Sequence, residues 1–268
     1  LQGKDTIENR DAVLEYDERI PRLDEDGKVV RIWDGQTTKP HPVTGKEVPD
    51  ESATIDLFDY VNPRRPEWPE ADFVVGNPPF VGASRMRDFL GDGYTEAVRT
   101  AWKGDVPESA DFVMFWWQRS AELVRAGKIH RFGLITTNSI RQTFNRRVLE
   151  PHLNAEKNPM HLAFAIPDHP WVDSADGAAV RIAMTVGEFG FLDGELHRVT
   201  EEFEIENGEH DVSIETIEGT ILANLRSGAA ISSADRLTAN LELSNRGHEL
   251  GGSGFILTRV QAKNLGYS

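Results

Sequence analysis

Asp72-Phe73-Val74-Val75-Gly76-Asn77-Pro78-Pro79-Phe80 is a short apolar run that halts at two prolines. A phenylalanine and two valines favour extended chain, and a run this short is too brief for a helix. Proline lacks the N–H a sheet ladder needs, and it disfavours the helical conformation in the residue before it. The run therefore reads as a buried strand over 72–77. Its end presents an amide, a fixed carbonyl and an aromatic ring together.

Downstream, a glycine-containing loop (Gly82, Gly91, Gly93) leads to a predicted helix at Tyr94–Lys103. Phe112, Phe115, Trp116, Leu123 and Val124 recur at near-helical spacing, so a second helix is expected over Ser109–Gly127. Phe132–Thr137 reads as another buried strand, ending in Asn138-Ser139, and Arg141–His152 as a further helix. Leu162–Ile166, a Pro/Asp/His/Trp loop, Val180–Val186 and Leu196–Ile205 complete the pattern, with strands expected in all but the loop.

Upstream, Thr6–Leu14 suggests a short strand with a polar end. Residues 24–69 read as a long excursion between two strands of one sheet, with a turn at His41-Pro42-Val43-Thr44-Gly45 and a small hairpin around Val29–Trp33. Strands alternating with helices imply an α/β fold with a parallel sheet, whose ligands gather at the carboxyl ends of the strands. Asp11, Asn77 and Asn138 all fall at expected strand ends.

At 268 residues the chain can bury a full core, and 39% hydrophobic content suits a globular protein. No run is long and apolar enough to span a bilayer, so no membrane partner is expected. Without cysteine there are no disulfides or thiolate metal sites, which agrees with a reducing, cytoplasmic setting. His152, His161 and His169 lack metal-ligand spacing, so no metal is expected. The net charge of −15 argues against a self-sufficient nucleic-acid binder. Arg85, Arg87, Arg141, Arg146 and Arg147 nevertheless cluster after the two strand ends, where a basic rim competes with ordinary solvated helix charge. The chain opens on Leu and reads as mid-domain sequence, which suggests an excised piece. The texture changes near residue 230, so 1–230 is expected to be one partial catalytic domain with an insertion at about 20–70. Residues 231–268 are expected to form a linker and the start of another unit.

The residues at 77–80 suit one chemistry. An exocyclic amine on an aromatic base is a poor nucleophile, because its lone pair is delocalised into the ring. Two acceptors aimed at its hydrogens, the Asn77 side-chain oxygen and the Pro78 carbonyl, orient it and favour a pyramidal nitrogen. Phe80 offers a face for the base, worth about 1–3 kcal/mol.

At these residues the chain resembles the amino-methylating DNA methyltransferases, whose signature is Asn/Asp/Ser-Pro-Pro-Tyr/Phe after a strand. Val75–Gly82, Ile135-Thr136-Thr137-Asn138-Ser139, Ile166-Pro167-Asp168-His169-Pro170-Trp171, and the 109–117 segment with Gly127-Lys128 look like the MmeI-like type IIG branch. That branch comprises adenine-N6 methyltransferases of restriction–modification and phage-defence systems, and the likeness covers most of residues 5–190. It implies a Rossmann-like, S-adenosylmethionine-dependent sheet with helices on both faces, acting on double-stranded DNA with base flipping. The resemblance makes Asn77, Pro78 and Phe80 catalytic. It places Asp11, Asn77, Pro79 and Trp116 at the cofactor, and Phe80 and Trp171 on the base. Residues 231–268 would open a largely absent target recognition domain, and other domains of a parent protein are implied.

The pattern departs from the family in one respect. Residues 1–71 supply neither the Gly-rich strand–turn–helix nor the acidic ribose-binding residue that should precede Asn77, and Gly251-Gly252-Ser253-Gly254 reads as a linker. Three alternatives stay open: cytosine-N4 in place of adenine-N6, since the motif binds an amine without naming its ring, a non-catalytic interaction fragment with this fold, and a methyltransferase for RNA guanine or protein glutamine.

Overall fold

The computed structural model describes residues 8–34, 37–42, 44–171, 180–204 and 210–228. The first part of this range is an antiparallel arm. Strand β1 (Glu18–Pro21) pairs with β6 (Phe58–Val61), β2 (Arg31–Trp33) with β5 (Thr54–Asp56), and β3 (Thr38–Pro40) with β4 (Glu47–Pro49). The pairs are nested, so the expected excursion is one interrupted hairpin closed at its base by the Glu15–Arg64 bridge. Val29–Trp33 is not a hairpin by itself, because β2 finds its partner more than twenty residues later. The tip turns where the sequence placed it: the His41 N–H reaches the Lys46 carbonyl, and Gly45 adopts φ +68°.

Among the described residues the main sheet has six strands in the order β12-β11-β9-β10-β8-β7. These are β7 (Phe73–Gly76), β8 (Arg131–Thr137), β9 (Met160–Trp171), β10 (Val180–Phe189), β11 (Gly194–Glu204) and β12 (His210–Gly219). β7 lies parallel to β8, and β9 parallel to β11, but β10 runs antiparallel to both neighbours and β12 antiparallel to β11. The sheet is thus mixed rather than parallel. The connections explain this, because a helix joins β7 to β8 and β8 to β9, whereas β9–β10 and β11–β12 are hairpins.

Among the described residues β7 is an edge strand. Phe73 is 60% and Val75 84% exposed, while Val74 and Gly76 face the neighbouring side. The strand is therefore not buried as its apolar composition suggested. Composition cannot distinguish a central strand from an edge whose second face has no cover.

Among the described residues four α-helices accompany the sheet: α1 (Met86–Leu90), α2 (Asp92–Ala101), α3 (Met114–Arg125) and α4 (Thr143–Leu153). α3 and α4 pack on each other, α3 against β8, β9 and β10 and α4 against β9, so both cover one face. Trp117, Phe132, Leu149 and Met160 fill that layer, with the Trp117 N–H donating to Thr185 Oγ1 at 3.3 Å. α2 secures the arm. A side chain at Gly93 would strike the Phe58 carbonyl, so helix and arm meet at backbone distance. Trp68 and Trp102 donate to the carbonyls of Ala12 and Val13, pinning the chain entry into the core.

The loop expected after Ile166 is instead the far half of β9. Ile182 pairs with His169 and Met184 with Ile166, so Pro167 and Asp168 together oppose Ala183 in a bulge. A bulge accommodates a proline that cannot donate to the ladder, and it redirects the next side chain. The expected strand at Thr6–Leu14 is not seen over residues 8–14, which form a bend, and residues 6 and 7 lie outside the described range. By its internal contacts the chain divides into residues 1–228 and 229–268. The expected linker and recognition-domain start at 231–268, with Gly251–Gly254, lie outside the described residues.

His152 on α4 is 5% exposed and held by two neighbours. Arg125 can only donate, so Nδ1 accepts from it at 3.2 Å and Nε2–H donates to Gln118 Oε1 at 2.8 Å. Burial, reinforced by the Arg125 charge, lowers the imidazole pKa from 6.5 to about 4. Between these values the unfolded chain binds a proton that the folded protein refuses. The stabilisation is therefore complete above pH 6.5 and is lost as pH falls to about 4. It amounts to on the order of 3 kcal/mol. Urea denaturation at neutral pH and near pH 4.5 will show this fall, and His152→Gln will flatten it.

Candidate functional site

β7 and β8 run parallel, β7 ending at Gly76 opposite Leu134 and β8 three residues further on at Thr137, so their following loops leave the same end of the sheet. Asn77 is exposed, Pro78 buried, Pro79 exposed and Phe80 half-buried. The buried Pro78 ring anchors the turn, which tightens through the Val81 N–H on the Pro79 carbonyl at 3.1 Å. Among the described residues neither the Asn77 side chain nor the Pro78 carbonyl has a hydrogen-bond partner, and the Phe80 ring stacks on no other ring. Two acceptors without hydrogen-bond partners among the described residues thus stand beside a half-buried aromatic ring, with Asn77 exposed at the turn.

The wall behind this corner is built on Asp111, which sequence reasoning did not single out. Its Oδ1 accepts from the Ala83 N–H at 3.1 Å, and its Oδ2 from Ser139 Oγ at 2.5 Å and Asn145 Nδ2 at 2.7 Å. Asn145 returns the contact, its Oδ1 accepting the Asp111 N–H at 2.8 Å. One carboxylate therefore joins the loop after β7, the loop after β8 and the start of α4. The Phe112 N–H also donates to the Val81 carbonyl at 2.8 Å, fixing the residue after Phe80. The only sequence signal was a carboxylate and an amide standing at otherwise apolar positions.

A second polar group closes the rim. Asn138 donates to Asp168 Oδ1 at 3.2 Å, while Arg141 and Arg181 donate to Asp168 at 3.1 and 2.5 Å. Arg181 continues to Glu202 at 2.7 Å. Burial opposes the Asp168 charge, yet the hydrogen bonds from Arg181 and Asn138 hold its pKa below the ordinary value. Glu202 and Asp168 together raise that of Arg181. The bulge at Pro167-Asp168 is what aims this carboxylate at the end of β8. Trp171, 38% exposed, lies three residues further along β9.

The remaining candidates form a chain of contacts leading to the corner. Trp116 is half-buried and packs edge-on against Phe112 with centroids 5.0 Å apart, and its N–H has no acceptor among the described residues. Phe112 contacts Tyr94, whose hydroxyl donates to Asp11 Oδ2 at 2.6 Å. Asp11 Oδ1 accepts from the Val13 and Leu14 N–H groups at 2.8 and 2.9 Å. Asp11 therefore sits in a bend rather than at a strand end, with both oxygens engaged. Burial, with Asp11 beside it, raises the Tyr94 phenol pKa, so it stays a donor.

The family model described as MmeI, DNA-methyltransferase domain, matches residues 35–194. A search of curated proteins finds no match. Among solved structures, the chain is similar to the type IIL restriction-modification enzyme MmeI in complex with DNA, at 25% identity and TM-score 0.45, over 59% of this chain and 20% of that one. It is also similar to a protein from Vibrio vulnificus YJ016 assigned as a modification subunit of a type I restriction enzyme. That match has 15% identity and TM-score 0.36, over 52% of this chain and 26% of that one. The chain thus spans about a quarter or less of the length of these two structures.

Proposed function

The chain belongs to the MmeI DNA-methyltransferase domain family, and from that membership we propose that its corner holds the N6 amine of an adenine extruded from duplex DNA. The observation that carries this reading is the pair of unpartnered acceptors at the ends of the parallel strands. The Asn77 side-chain oxygen and the Pro78 carbonyl accept the two amine hydrogens, which draws the nitrogen lone pair out of conjugation. Phe80 lies against one face of the base, and Trp171 covers the other. Asp111 holds both loops still, so the acceptors do not have to reorganise when the base arrives.

The methyl donor in this reading is S-adenosylmethionine, which supplies an activated methyl group. The described residues do not enclose it alone. Both Asp11 oxygens are engaged, and residues 15–64 form an antiparallel arm where a Gly-rich strand–turn–helix would be needed. Pro79 and Trp116 offer it a wall, and this chain's share is the handling of the amine. Residues 1–230 are the catalytic part, and 231–268 lead into a target recognition domain that brings most of the DNA contacts. The setting is a cytoplasmic restriction–modification or phage-defence enzyme.

The test is nucleoside analysis after incubating the full-length protein with S-adenosylmethionine and duplex DNA. N6-methyladenine is the expected product. N4-methylcytosine, methylation confined to RNA guanine or protein glutamine, or DNA binding with no transfer would each overturn the reading.

A further inference from the structure

The five arginines that follow the two strand ends are not equivalent. Arg87 is neutralised by Asp92 and Glu96 at 3.0 and 3.1 Å, Arg141 by Asp168 at 3.1 Å, and Arg146 by Glu150 at 2.9 Å. Arg85 and Arg147 have no acidic partner among the described residues. Each lies instead over a phenyl ring, Arg85 at 4.6 Å from the Phe89 centroid and Arg147 at 5.4 Å from that of Phe144. Both rings face solvent, Phe89 at 60% and Phe144 at 52% exposure.

Pairs at helical spacing arise on many surfaces, but the placement of these two is specific. Arg85 stands two residues after Ala83, and Asn145 lies between Phe144 and Arg147. The Asp111 carboxylate binds both Ala83 and Asn145. The two pairs therefore flank one anchored point, one in the segment after β7 and the other in the segment after β8. A phenyl face orients a guanidinium without cancelling its charge, unlike the carboxylates that hold the other three. In a chain of net charge −15, two oriented and unneutralised cations beside the corner are suited to an anion.

We propose that Arg85–Phe89 and Arg147–Phe144 form a two-point clamp on the phosphodiester backbone of duplex DNA beside the extruded base. This deepens the reading above and rests on it. Each guanidinium replaces condensed counterions at one phosphate, and each ring keeps its arginine extended over the rim. The clamp carries no sequence information. It seats the strand so that the target nucleotide arrives at Asn77.

Equilibrium binding of the full-length protein to random-sequence duplex DNA over a range of salt concentrations tests this. Arg85→Gln with Arg147→Gln should reduce the slope of log K against log[salt] by about 1.8, or 0.9 per phosphate. The double Lys variant keeps the charges and should retain the slope. Arg87→Gln with Arg146→Gln removes already paired charges and should also leave it unchanged. An unaltered slope in the first variant, with the wild type binding normally, overturns the clamp alone. So does an equal loss in the Lys variant, which would mark a packing role. A wild type that binds no duplex DNA would overturn the functional reading as well. Matching thermal melts confirm that the variants are folded.

Discussion

Asn77→Ala should lower single-turnover methyl transfer about 100- to 1000-fold, by analogy with the loss of one preorganised polar group from a reacting centre. The side chain is exposed and bonded to nothing among the described residues, so the fold loses little, within about 0.5 kcal/mol. A residue whose removal is thermodynamically silent but chemically severe acts on substrate. Asn77→Asp restores an acceptor in the same place and should recover part of the rate. Rapid-quench assays beside thermal melts supply both numbers, and an Ala variant as fast as the wild type would remove the corner from the chemistry.

Asp111→Ala should instead cost both stability and rate. Three donors from three segments lose their acceptor together: the Ala83 N–H, the Ser139 hydroxyl and the Asn145 amide. Charge-assisted hydrogen bonds contribute about 1.5–3 kcal/mol each but are not additive here, so a net loss of about 3 kcal/mol is expected. Transfer should fall roughly 100-fold as well, because a displacement near 1 Å of a positioned group is that costly. Asp111→Asn retains an acceptor for only part of the set and should fall between. Urea denaturation with steady-state kinetics decides the matter. Unchanged stability in the Ala variant would show that the loops are held by packing alone.

The corner was readable because its signals are local. Two consecutive prolines end β7 wherever it lies, and Asn77 and Phe80 follow from adjacency. α3 was readable from apolar spacing, although it starts five residues after its expected start, and α2 and α4 came out within two residues of their expected ends. The arm was not, because β2 and β5 lie over twenty residues apart and each is only three residues long. The far half of β9 was hidden for a related reason. Pro167 and Pro170 argue for a loop, and only pairing with β10 across a bulge makes the segment a strand. β12 was missed entirely, since it gains its order from β11 beside it. Asp11 shows the opposite failure, in which a plausible strand-end acid proved to be engaged by its own turn and by Tyr94.

From the chain alone came everything set by covalent neighbours: where the first sheet strand stops, which acceptors stand at its end, and how the apolar spacing makes helices. Tertiary contacts decided which of those groups remained free. Asn77 and Asp111 are ordinary polar side chains in one dimension. Among the described residues one is left without partners and the other satisfies three, because long-range contacts determine what surrounds each side chain and local sequence cannot.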